Sequence, residues 1–134
     1  MTVVLDASAL LALHVDAPAR ATVTEAMETD TAWCACAVAL PEAVAAASRL
    51  TDEPVLVREI EDMVRHTWDF LHVVPVDRAL LDEAAILTTQ QPLGVSSALH
   101  LAAAARLPRP VSFVTFDPAQ IPVALSLGFD VVSG

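Results

Sequence analysis

The sequence predicts an α/β domain in which helices cover both faces of a central parallel sheet of about four to five strands. Short apolar runs, several rich in β-branched residues, alternate along the chain with longer segments of helical composition. Apolar residues make up 55% of the 134 residues, which is enough for a sizeable core and too much for a disordered chain. We find no linker, repeat or low-complexity run, and we therefore expect residues 1–134 to form a single domain.

The strands are predicted from apolar runs that end at a proline, an aspartate or a turn. The run TVVL at the start of the chain reads as a buried parallel strand, and VSFVTF near the end reads as another. The second strand contains Cys34 and Cys36, and we expect their thiols to diverge and to share neither a disulfide nor a metal. The predicted strands are residues 2–5, 31–36, 71–74, 111–116 and an edge strand at 129–132.

The helices are predicted from their capping residues and from prolines near their first positions. We expect Ser8, Asp16, Asp77 and one of Ser96 or Ser97 to cap helices, and Asp117-Pro118 to open a last short one. The predicted helices are residues 9–14, 18–28, 37–50, 54–69, 78–89 and 97–106, followed by the short helix after Pro118.

The charge balance excludes several functions. Seven Arg oppose seventeen Asp and Glu for a net charge of −10, and the chain contains no Lys. Schiff-base and lysine-based phosphate chemistry are therefore excluded, and the charge argues against nonspecific nucleic-acid binding by a basic face. An acidic chain can still act on nucleic acid if divalent metal neutralises one local pocket. The apolar start of the chain lacks a basic segment and contains Asp6, and no run approaches the length of a membrane span. We expect a cytoplasmic protein without membrane contact.

Three acids are placed to form a site. Asp6 and Asp117 each follow a buried strand, and Glu42 lies near the start of a helix that follows a strand. Functional crevices of open parallel sheets lie at the carboxyl ends of the strands, so the three side chains are expected to converge there. Converging carboxylates repel one another unless a cation lies among them, and oxygen ligands suit Mg²⁺ or Mn²⁺. The alternative is structural, with the aspartates capping helices and Glu42 as a solvated first-turn residue.

Four segments together resemble the PIN domain, and specifically the VapC-like toxins of toxin–antitoxin pairs. The resemblance spans nearly the whole chain, because the segments occur in the family's order and spacing. They are LDASALLAL at 5–13, ALPEAVAAASRL at 39–50, SALHLAAAARL at 97–107 and VTFDPAQIPVALSLGF at 114–129.

The resemblance implies a metal-dependent endoribonuclease. Asp6, Glu42 and Asp117 match the family's catalytic and metal-binding acids, and Ser8 and Thr115 match its supporting hydroxyl positions. It further implies bound Mg²⁺ or Mn²⁺, an RNA substrate, a cognate antitoxin that blocks the cleft, and a homodimer. His100 matches a position that the family retains mostly as a packed helix residue, although a role as base or ligand stays open.

One position departs from the family pattern. Ser97 stands where a metal-binding aspartate is typical, and a neutral hydroxyl is a poorer ligand for a hard cation. If that ligand contacts the metal, we expect a rate loss on the order of 10²-fold or more. The substitution is compatible with an impaired nuclease, with a catalytically silent PIN-fold module that binds an antitoxin or RNA, and with an engineered inactive toxin.

Overall fold

The computed structural model describes residues 2–15 and 18–133. Within these ranges the chain forms one sheet of five parallel strands, which confirms the predicted fold class. The strand bounds agree with the sequence prediction to within two residues. The strands are β1 (Thr2–Leu5), β2 (Ala32–Cys36), β3 (His72–Val74), β4 (Val111–Val114) and β5 (Asp130–Val132).

The strand order β3-β2-β1-β4-β5 places β1 and β4 side by side at the centre of the sheet. Both strands are almost wholly buried, which is why their sequences are apolar at nearly every position instead of alternating. In their register Leu5 pairs with Val114, the last residue of each strand. The residues that follow these two strands therefore emerge next to each other at the carboxyl edge.

Seven helices connect the strands in the part of the chain that the structure describes. Residues 54–68 form the longest of them, and none is both long and apolar enough to cross a membrane among the residues described. The helices are α1 (Ala7–Ala12), α2 (Pro18–Thr29), α3 (Ala39–Ala47), α4 (Pro54–Trp68), α5 (Arg78–Gln90), α6 (Val95–Ala105) and α7 (Gln120–Ser126).

Helices cover both faces of the sheet, as predicted. One core layer packs α1 to α4 against a face that includes Val3, Leu5 and Val114. The other packs α5, α6 and α7 against the opposite face, where Val4 and Phe113 are fully buried. The residues of β1 thus alternate between two apolar layers, which fixes this strand in the middle of the domain.

Several predicted helix starts are wrong. Helix α1 begins at Ala7 with Asp6 as its cap, and α6 begins at Val95 with Gly94 as its cap, so Ser8, Ser96 and Ser97 lie inside first turns. The prediction failed because a serine at a plausible cap position can instead direct its hydroxyl to a tertiary partner. The proposed cap Asp16 lies outside the described residues, whereas Asp77 caps α5 as predicted and accepts a hydrogen bond from the Leu80 N–H.

The two cysteines do not diverge as expected. Residues two apart on a strand point to the same face, and Cys34 and Cys36 both face the layer of α5 to α7, whereas Ala35 faces the other layer. Both thiols are buried, and neither forms a disulfide within residues 2–15 and 18–133. They behave as small apolar core residues.

Candidate metal centre

The centre of the sheet is a topological switch point. From β1 the chain proceeds to β2 and β3 on one side, and later strands β4 and β5 lie on the other side. The loops that leave β1 and β4 therefore turn in opposite directions and open a crevice at the carboxyl ends of these strands. Asp6 directly follows β1, and Asp117 follows β4 by three residues, so both acids line this crevice.

The crevice contains a small polar pocket of ≈ 180 Å³. At about 30 Å³ per water molecule it has room for an ion with a few waters. It brings together Asp6, Glu42 and Asp117 with Ser8 and Ser97, while Thr115 lies behind Asp6. None of the described residues that line the pocket is an arginine. They are Asp6, Ala7, Ser8, Glu42, Ser96, Ser97, His100, Asp117 and Gln120.

Asp6 is buried, with 2% of its surface exposed, and both oxygens of its carboxylate accept hydrogen bonds. Oδ1 accepts hydrogen bonds from the Ser8 hydroxyl (2.6 Å) and the Ala9 N–H (2.9 Å). Oδ2 accepts from the Thr115 hydroxyl (2.5 Å) and the Gln120 side-chain amide (2.9 Å). These charge-assisted bonds satisfy both oxygens of a carboxylate that is removed from water.

Backbone amides fix two of those donors in turn. The Ser8 hydroxyl accepts from the Phe116 N–H (2.9 Å), and the Thr115 hydroxyl accepts from the Asp117 N–H (3.1 Å). Each hydroxyl therefore joins the end of β4 to the Asp6 carboxylate. This arrangement explains why hydroxyl residues occupy both positions, since an apolar side chain would leave a backbone amide without this partner and remove one of the two hydrogen bonds to an oxygen of the buried Asp6 carboxylate.

Glu42 enters the pocket from the first turn of α3. His100 Nε2 lies 2.7 Å from Oε1 and donates to it, because a carboxylate only accepts, and the Ser96 hydroxyl donates to Oε2. The His100 hydrogen bond is the main cause that lowers the pKa of Glu42; partial burial opposes the shift, and Ser96 supports it. Glu42 is thus held ionised and oriented, with a third of its side chain still exposed.

Asp117 and Ser97 face each other across the pocket. The Ser97 hydroxyl lies 3.4 Å from Asp117 Oδ2, at the long limit of a hydrogen bond. The other oxygen of Asp117 accepts from the Ala119 N–H (3.0 Å). Position 97 therefore points a neutral hydroxyl at the place where an additional carboxylate would adjoin Asp117.

Sequence reasoning did not predict the contacts that three polar residues make in this pocket. His100 is packed as expected, with 2% exposure, but it also orients Glu42. Ser96 offers no charge, yet it holds the second oxygen of Glu42. Gln120 had no recognisable signal, because only the turn after β4 brings it back to Asp6.

The chemistry of the pocket suits a hard cation, but its ligands are not preassembled. Hard divalent cations prefer oxygen ligands, and residues with carboxylate, hydroxyl and carboxamide side chains line this pocket. No three His, Cys, Asp or Glu side chains are close enough to form a ready-made metal site among the residues that the structure describes. The existing hydrogen bonds hold Glu42 toward α6 and Asp6 toward β4. A divalent ion therefore fits by its ligand chemistry and requires some side-chain movement.

Comparisons with known proteins identify the fold. Similar solved structures include FitAcB from Neisseria gonorrhoeae, with a TM-score of 0.73 and 11% identity over 97% of this chain and 96% of that chain. VapBC2 from Rickettsia felis, bound to a promoter DNA fragment, gives 0.71 and 10% identity over 100% and 99%. VapBC-5 from Mycobacterium tuberculosis, a member of the VapBC family of toxin–antitoxin systems, gives 0.67 and 14% identity over 99% and 98%. At these identities the likeness shows the fold alone.

The sequence gives the family directly. A search of curated proteins finds no match. The family model of the PIN domain matches residues 3–124, which include all four segments quoted above except the last five residues of the fourth. This match covers most of the chain and contains Asp6, Glu42, Ser97 and Asp117. The chain therefore belongs to the PIN domain family.

Proposed function

We propose that this protein is a VapC-like toxin, a divalent-metal-dependent endoribonuclease whose site is altered at Ser97. The observation that carries the proposal is the meeting of Asp6, Glu42 and Asp117 in one pocket at the switch point of a PIN-domain sheet. Two similar solved structures add support, because the complex from Klebsiella pneumoniae and VapBC-5 from Mycobacterium tuberculosis come from toxin–antitoxin systems. A cytoplasmic location and an RNA substrate belong to the same proposal.

The pocket residues have distinct tasks in this proposal. Asp6 and Asp117 hold the metal, and the hydroxyls of Ser8 and Thr115 keep Asp6 in place. When bound, Mg²⁺ or Mn²⁺ supplies Lewis acidity toward the phosphodiester and a water molecule. Glu42 orients the attacking water, because each of its oxygens retains a lone pair beyond the bonds from Ser96 and His100.

An antitoxin would bind beside the pocket in this proposal. An apolar groove of ≈ 530 Å³ between α1, α2 and α3 shares Ala7, Ser8 and Glu42 with the acid pocket. Leu11, Val15 and Leu50 contribute to its apolar lining. A partner segment with apolar side chains followed by a basic one would fill the groove and neutralise the acids, and the net charge of −10 favours such a basic partner. A homodimer, as in the resembling toxins, is part of the proposal.

The test is Mn²⁺-dependent cleavage of a panel of structured RNAs. The chain, Asp117→Asn and the matched surface variant Asp52→Asn are compared with and without EDTA. We expect cleavage that EDTA abolishes, that Asp117→Asn reduces by at least about 10²-fold, and that Asp52→Asn leaves unchanged. Cleavage that survives EDTA or Asp117→Asn would contradict the proposal.

A silent PIN-fold module is the second candidate function. It is favoured by the hydrogen bonds that already occupy Asp6, whose carboxylate accepts four of them from described residues. Absence of cleavage by both the chain and Ser97→Asp, together with tight binding of a basic partner, would select this alternative.

A further inference from the structure

Gln120 is a buried polar residue to which the proposed function assigns no role. It is the first residue of α7 and only 3% exposed. Its Nε2 donates to Asp6 Oδ2 at 2.9 Å, and the side chain lines the acid pocket. Its Oε1 is buried and has no hydrogen-bond partner among the described residues. An unpartnered buried carbonyl is unfavourable, so its retention here requires a reason.

Asp6 has no lone pair to spare for a cation while Gln120 is in place. A carboxylate offers about four lone-pair positions, two on each oxygen. Ser8 and Ala9 occupy those of Oδ1, and Thr115 and Gln120 occupy those of Oδ2. Direct coordination of a cation by Asp6 therefore requires one of these donors to leave.

The structure distinguishes the donor that can leave. Ala9 donates through its backbone, and the hydroxyls of Ser8 and Thr115 are themselves held by backbone amides. Among the described residues, the Gln120 carboxamide makes one hydrogen bond, the one from Nε2 to Asp6. Rotation about its terminal sp³–sp² bond is also the softest torsion of this group.

We infer that Gln120 is a carboxamide switch whose Oε1 becomes a ligand of the cation at Asp6. A half-turn about the Cγ–Cδ bond exchanges Nε2 and Oε1, which removes a donor from Asp6 and directs the unpartnered carbonyl oxygen to the ion. The neutral oxygen partly replaces the carboxylate that is missing at Ser97. This inference rests on the proposed metal dependence, and it assigns a metal-binding role to a residue outside the family's acids.

The first test is the affinity for Mn²⁺ alone, measured by calorimetry. The variants are Gln120→Leu, which keeps the size and removes the oxygen, Gln120→Glu, which adds a charge, and the exposed control Gln90→Leu. We expect about tenfold or greater weakening in Gln120→Leu, tightening in Gln120→Glu and no change in Gln90→Leu. Equal or tighter binding by Gln120→Leu would overturn the inference, since a residue that only blocks Asp6 would increase affinity when removed.

A second test avoids substitution altogether. The side-chain NH₂ resonances of Gln120, assigned through bonds in ¹⁵N-labelled protein, are followed during a Mg²⁺ titration. We expect them to shift as the bond to Asp6 is lost, while those of Gln90 stay in place. Mg²⁺ binding, measured by calorimetry, with a stationary Gln120 signal would refute the switch and leave the proposed function intact. No binding of either ion at millimolar concentration would refute both.

Discussion

The substitution Ser97→Asp tests the altered site most directly. It restores a carboxylate at the position where the Ser97 hydroxyl lies 3.4 Å from Asp117 Oδ2. The added charge has opposite consequences in the two states of the pocket. Without metal it adds repulsion to three existing carboxylates, and with metal it adds a charged oxygen ligand.

The size of the repulsion follows from this distance. Two unit charges about 4 Å apart interact by about 1 kcal/mol in water and by about 4 kcal/mol at an effective dielectric constant of 20. Ser97 and Asp117 are both half-buried, which places the pair between these limits. We expect the metal-free variant to lose about 1–4 kcal/mol of unfolding free energy. Mn²⁺ at a hundred times its Kd returns about 2.7 kcal/mol.

The assay measures urea unfolding in EDTA and in Mn²⁺, followed by RNA cleavage with the same preparations. We expect a destabilised protein in EDTA, near-normal stability in Mn²⁺, and cleavage faster than that of the unmodified chain by on the order of 10²-fold. Ser126→Asp, which adds the same charge on the exposed end of α7, is the matched control. Equal cleavage by the unmodified chain and Ser97→Asp would refute the reasoning that residue 97 limits the site.

Three further predictions concern stability. Burial is the main cause that lowers the pKa of His14 below 6.5, so the unfolded chain binds a proton more readily than the folded protein and stability falls as the pH drops below 6.5. We expect His14→Gln to flatten the stability measured by urea unfolding between pH 7 and 5. An unchanged slope would contradict this. The His100 hydrogen bond lowers the pKa of Glu42 below 4.5, so ionised Glu42 stabilises the fold above pH 4.5 and this stabilisation is lost as the pH falls through the lower folded pKa. We expect Glu42→Gln to reduce acid-induced destabilisation in titrations followed by circular dichroism. An identical acid transition would speak against it. Phe113→Ala should lower the free energy of unfolding by about 3–5 kcal/mol, because the ring is fully buried. Phe70→Ala removes an exposed ring and should change it by no more than about 0.5 kcal/mol. Similar losses in the two variants would disprove the assigned core.

The strands could be predicted closely because their signal is local. A strand that is buried on both faces must be apolar at nearly every position, and TVVL has the same bounds in sequence and structure. The strand VSFVTF was predicted two residues too long. Thr115 is β-branched and Phe116 is aromatic, so both favour a strand, but the strand ends at Val114 and the Thr115 hydroxyl bonds to Asp6.

The hydroxyl residues at helix starts could not be assigned from sequence alone. A serine before an apolar run is compatible both with capping and with a tertiary hydrogen bond, and only the packed structure distinguishes them. Ser8 donates to Asp6, two residues before it, and accepts from the distant Phe116 N–H, whereas Ser96 donates to Glu42 across 54 residues of sequence. Their partners are acids of the pocket, so the same arrangement that displaces the caps also builds the candidate site.

The acids were accessible to sequence reasoning, but their partners were not. Asp6 and Asp117 follow predicted strands, and the rule that crevices lie at carboxyl ends of parallel strands was sufficient to place them together. His100 and Gln120 carry no such positional rule, since a buried polar residue within a helix has many possible partners. His100 reaches Glu42 because α6 crosses the end of β2, and Gln120 reaches Asp6 through the turn after β4.

The structural and functional interpretations of Asp6 depend on the same contacts. Asp6 caps α1 through the Ala9 N–H, and it fastens β4 to β1 through the Thr115 hydroxyl. These bonds fix the orientation of the carboxylate, so the contact that caps the helix also positions the side chain that the proposed function assigns to the metal. Loss of activity on replacing Asp6 would therefore combine a local folding defect with loss of a ligand. Asp117 is half-buried, and among the described residues its Oδ2 has the Ser97 hydroxyl as its one hydrogen-bond partner, so its replacement tests the proposed metal binding with less effect on folding.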